Sequence, residues 1–101
     1  MIPIALRCRS NAVADLVKRC LAHWRELPES VRVEVLQWLR IALVGSRDPG
    51  GMSSLDLNQM LSEHAAIRIS HDALRGAMAE AGYQPTNTAL ECSYYRVRLA
   101  S

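Results

Sequence analysis

A chain of 101 residues, half of them apolar and under a quarter charged, has the composition of one globular domain and excludes a disordered chain. It is long enough for a core without staples, since self-sufficient domains begin at about 55–65 residues. A net charge of +2 is too small to announce a nucleic-acid partner by itself, and no apolar run approaches a membrane span.

Charge distribution says more than the total. Residues 1–45 hold seven cationic side chains against four acids, while residues 46–101 hold five arginines against six. Cys8, Cys20 and Cys92 are odd in number and widely spaced, unlike a secreted disulfide framework, which predicts a reducing, cytoplasmic setting. The opening "MIPIALRCRS" has too short an apolar run for a signal peptide.

In chain order, the first element spans Asn11–Leu27. Val13, Leu16, Val17, Cys20, Leu21, Trp24 and Leu27 fall on one helical stripe, and Ser10 is a plausible N-cap. Residues 1–9 read equally as a strand or a tail. Pro28 suits a helix's first turn but not its interior, so a second helix is expected from there to about Val44. Its polar stripe is narrow (Glu34, Gln37, Arg40), while Val31, Val35, Trp38, Leu39, Ala42 and Leu43 wrap most of it. Such a helix needs cover on more than one side.

"GSRDPGG", Gly45–Gly51, breaks this helix and is the only candidate boundary between an N-terminal helical pair (1–45) and the rest (46–101). Ser53 can cap a third helix with Asp56 in its first turn, burying Leu57, Met60 and Leu61. Ser70 can cap a fourth, burying Leu74, Ala77, Met78 and Ala81, with Gly82 at the left-handed exit. Tyr94–Leu99 alternates, Tyr95, Val97 and Leu99 against Tyr94, Arg96 and Arg98, which marks a half-buried strand. Its expected partner is Gly82–Pro85, across "TNTALE".

The sequence is therefore read as mainly α: an α-helical hairpin leading into two further helices and a C-terminal β-hairpin. From Pro28 onward that order resembles a winged helix-turn-helix. The segment "ALRGAMAEAGYQP…SYYRVRL" is also similar to the C-terminal winged modules of phage and plasmid primases and ATPases. The resemblance implies a last helix in the major groove of duplex DNA and a wing on the backbone. Carried across, His71, Asp72, Arg75, Ala79 and Glu80 would face the groove, with Arg68 in the turn before them. Thr86, Asn87, Thr88, Tyr94, Arg96 and Arg98 would form the wing. Arg75 could fork onto guanine, and Arg96 and Arg98 could hold phosphates. Asp72 and Glu80 depart from a typical reader, because phosphates repel carboxylates.

Other chemistry has thinner support. Cys20 and His23 could share a metal, but a structural zinc site needs four ligands, and Cys20 lies on the apolar stripe. A Cys92 nucleophile with His71 or His64 lacks a local signature, and "GSRDPGG" lacks the lysine and the flanking strand of a phosphate loop. No enzyme activity, cofactor or metal is expected. Trp24 and Trp38 are candidate partner anchors, and the apolar excess of the first two helices suggests a homodimer. Three functions follow: a DNA-binding regulator or module of replication or mobile-element machinery, a protein-interaction adaptor on the same scaffold, or a regulatory part of a larger enzyme. The sequence narrowly favours the first.

Overall fold

The computed structural model describes residues 4–47, 51–88 and 92–100, with side chains described at 14–47, 51–86 and 92–100. Among these residues, four helices and five short strands follow in the order α1 (Ile4–Arg25), α2 (Glu29–Ala42), β1 (Leu43–Gly45), β2 (Met52–Ser53), α3 (Ser54–Ala65), α4 (His71–Glu80), β3 (Asn87–Thr88), β4 (Ser93–Tyr95) and β5 (Val97–Leu99). The chain is mainly helical, with small antiparallel sheets.

The first helix is longer than expected. It starts at Ile4, so residue 10 lies inside it and Ser10 is not its cap, and residues 4–9 are helical. Pro28 stands just outside α2, at φ −56° and ψ 146°, the fixed dihedral that proline supplies at a helix entrance. The second helix ends two residues early. Leu43 keeps a bond from its N–H to Leu39 O but has φ −109° and ψ 139°, already a strand conformation.

That early exit creates β1, which pairs antiparallel with β5, Leu43 opposite Leu99 and Gly45 opposite Val97. Further along the chain β2 pairs with β4, Met52 opposite Tyr95. The expected single strand over Tyr94–Leu99 is thus interrupted at Arg96, and its two pieces take β1 and β2 as neighbours. Gly82–Pro85 is not its partner. Gly82 has φ +92°, and Tyr83 N–H returns to Met78 O at 2.9 Å, so these residues close α4 instead. Asn87 and Thr88 take the partnership, opposite Tyr94 and Ser93.

The caps read from sequence for α3 and α4 form. Ser53 and Asp56 make a reciprocal capping box, with Asp56 N–H on Ser53 Oγ at 3.1 Å and Ser53 N–H on Asp56 Oδ2 at 3.3 Å. Ser70 Oγ accepts from Ala73 N–H at 3.1 Å. Each such cap is worth about 1 kcal/mol.

One core joins both halves of the chain. Trp24, Val35, Leu39, Leu57, Leu61, Leu74 and Met78 are fully buried and pack in one cluster with Leu43, Ala77, Tyr95 and Val97. Burying each large member stabilises by about 1.5–3 kcal/mol. Met60 is only partly covered, and Ala81 is exposed. The N-terminal helices do not stand apart as a hairpin: α1 packs against α4 more extensively than any other pair of elements. No helix among the described residues is long and apolar enough to cross a membrane.

Candidate functional site

The fourth helix decides which surfaces can act. Its core face holds Leu74, Ala77 and Met78, all fully buried. The opposite face, expected to meet a partner, is taken by α1. Gly76 sits at the crossing, where an added Cβ would lie 2.7 Å from Trp24 Cβ. Only a glycine admits α1 this closely.

Above and below that crossing the helices are tied by polar contacts. Asp72 carries Arg19 at 3.3 Å and His23 at 4.0 Å, and the Cys20 thiol points at Asp72 Oδ1 from 3.9 Å. One turn past Gly76, the Trp24 indole N–H donates to the Glu80 carboxylate. Asp72, Gly76 and Glu80 recur at four-residue spacing and all meet α1, so the acids that looked misplaced for DNA hold a helix instead.

Arg75 is only 5% exposed. Its Nε and Nη2 both donate to Ser93 Oγ, at 3.2 and 3.0 Å, pinning α4 to β4. An outward guanine contact is therefore corrected to an inward structural one. His71 is also turned inward. Ser54 Oγ lies 2.6 Å from His71 Nε2 and accepts the Ser93 N–H at 2.9 Å. Burial, then the Arg75 charge, lower the His71 pKa, and Asp72 opposes them. Ser54 is fully buried, so this pair is a knot joining α3, α4 and β4.

Between α1, α4 and β4 lies a small, mostly apolar hollow of about 70 Å³, lined by Leu16, Val17, Cys20, Ala79, Tyr83 and Tyr95, with Arg75 and Ser93 among its walls. Burial pushes the Cys20 thiol up, with Asp72 adding to it and Arg75 opposing. Burial also raises the Tyr95 phenol against the pull of Ser93 and Arg75.

The remaining predicted residues separate. Arg68 is exposed in the turn before α4, beside a groove lined by Asn58, Gln59, Glu63 and Ile69. Arg96 and Arg98 are exposed and Tyr94 is 39% exposed, while Tyr95 and Val97 point into the core at 3% each. Asn87 and Thr88 pair with β4 through their backbones, and their side chains lie outside the described ones. Trp24 is fully buried, so it is a core residue and not an exposed anchor. Trp38 is half-buried against the edge of His64, with ring centroids 6.4 Å apart.

Sequence reasoning missed Gly76, Ser54 and Ser93, which do the joining, and Ile41 and Val44, which stay outside. Ile41 is 77% exposed. Gly76 in a helix was the one legible signal, since an interior glycine costs about 1 kcal/mol against alanine and wants a packing reason. Among the described residues, no three His, Cys, Asp or Glu side chains converge as a metal cluster. Comparison with protein-family models, curated proteins and solved structures finds no match for this chain.

Proposed function

We propose that this chain is a protein-interaction module on a winged-helix scaffold, serving as an adaptor or regulatory part of a larger complex. The order α2, β1/β2, α3, α4, β3, β4/β5 and the antiparallel pair β3–β4 after α4 support that scaffold. One observation carries the functional choice: α1 occupies the face of α4 that a duplex reader would put in the groove, with Arg75 beneath it.

Displacing α1 would expose Trp24, fully buried here, and would unmake the Gly76 crossing, so groove entry by α4 would cost much of the core. The near-balance of charge over residues 46–101 also favours a protein partner, since protein–DNA interfaces are strongly positive.

The test is a mobility assay of the full chain with mixed-sequence duplex DNA at low salt. The proposal expects no retarded species. A salt-sensitive shift abolished by Arg96→Ala with Arg98→Ala would restore duplex DNA as the partner. Arg75→Ala is unsuitable as a probe, because it would disturb the fold whatever the ligand.

A further inference from the structure

We infer that the outward side of β1, β5 and the adjoining β4 docks an extended, acidic segment of a protein partner that also carries an apolar side chain. This deepens the interaction reading above and rests on it.

Along β4 and β5 the inward and outward positions alternate. Tyr95 and Val97 enter the core, and Tyr94, Arg96 and Arg98 stand outside. Val44, 37% exposed, lies directly opposite Arg98 across the β1–β5 ladder. None of the five strands among the described residues contains a carboxylate residue, so Arg98 has no acid among its strand neighbours, and Arg96 stands at the bend between β4 and β5. One step back along the chain, Ile41 borders a shallow hollow with His64, Leu99 and Ala100. The outward residues thus combine a tyrosine, two arginines and Val44, with exposed Ile41 at the border beside Leu99.

Charge complementarity selects the occupant. Arginine forks onto carboxylates in two parallel bonds and sheds water more readily than lysine. The second half of the chain uses arginine alone for positive charge, the single lysine being Lys18. Tyrosine and arginine are also the residues that protein interfaces concentrate. Exposed Ile41 and Val44 have nothing to gain from a phosphate backbone, but would bury aliphatic or aromatic side chains. Two outward arginines are also few for nucleic acid, where each neutralised phosphate adds only one released counterion. An extended segment fits because, among the described residues, β1 pairs with β5 on one side alone, and a strand edge of this kind accepts a further strand.

The experiment is nuclear magnetic resonance titration of the isotope-labelled full chain with a short peptide alternating glutamate and leucine. Its glutamine counterpart and a single-stranded oligonucleotide run as parallel arms. Amide shifts should be confined to residues 41–47 and 93–100. Arg96→Glu with Arg98→Glu should weaken binding about tenfold or more, since both charges are reversed, and Ile41→Ser should weaken it less. Equal binding of the glutamine peptide, or no shifts with the acidic one, overturns the inference. Shifts confined to other residues overturn this site and leave the interaction reading standing. Tighter binding of the oligonucleotide at the same residues overturns both. Concentration-dependent shifts there without any ligand would assign the face to a second copy of the chain, and also overturn it.

Discussion

The indole N–H of Trp24 donates to the carboxylate of Glu80, fifty-six positions away. This bond marks where the first helix is fastened over the fourth. Trp24 is fully buried, so its donor has this carboxylate in place of water.

Glu80→Ala should therefore destabilise the fold by about 1–2 kcal/mol, within the cost of orphaning a buried donor. Trp24→Phe removes the donor and leaves a void, and should cost more. In the double variant the loss of Glu80 should add almost nothing. Urea unfolding of the four proteins checks the cycle, and strict additivity would mean that the bond contributes nothing.

Gly76→Ala tests the crossing. A methyl group there meets the Cys20 carbonyl and the Trp24 Cβ, both attached to backbone that cannot swing away. Alanine's better helix propensity offsets only about 1 kcal/mol, so a net loss of about 2 kcal/mol or more is expected. Gly45→Ala is the control, because nothing stands within 4 Å of its added Cβ. It should change the midpoint of thermal unfolding little.

Acid should weaken the fold through His71. Its pKa is lowered from the ordinary value of 6.5 by burial and by Arg75, so the unfolded chain binds its proton first. The stability that His71 contributes is complete above about pH 6.5 and is lost as pH falls through the depressed folded value. The slope for one proton cannot exceed about 1.4 kcal/mol per pH unit. His71→Gln, which keeps a hydrogen-bonding group toward Ser54 but does not titrate, should flatten that part of the profile. An unchanged slope would place the acid sensitivity elsewhere.

Local chemistry was legible wherever a residue acts on its neighbours. Ser53 with Asp56 and Ser70 cap helices as their spacing implies. Gly82 takes the left-handed turn, and the alternation from Tyr94 to Arg98 sorts inside from outside as read. Of the first stripe, Leu16, Cys20 and Trp24 are buried and Leu21 and Leu27 half-buried, while Val17 is 44% exposed. These features depend on backbone dihedrals and side-chain spacing along a few turns, which any sequence carries openly.

What only the tertiary structure decided is which amphipathic faces meet. His71, Asp72, Arg75 and Glu80 carry a polar pattern that fits a solvent-facing groove reader as well as a buried seam. The choice falls to Gly76, whose missing side chain lets α1 approach, and to partners on distant elements such as Arg19, Trp24 and Ser93. Leu43 likewise continues α2 by local pattern yet leaves it, because Leu99 on the last strand offers a ladder. Pairings of this kind are settled by the free energy of the whole core, and a window of neighbouring residues does not contain it.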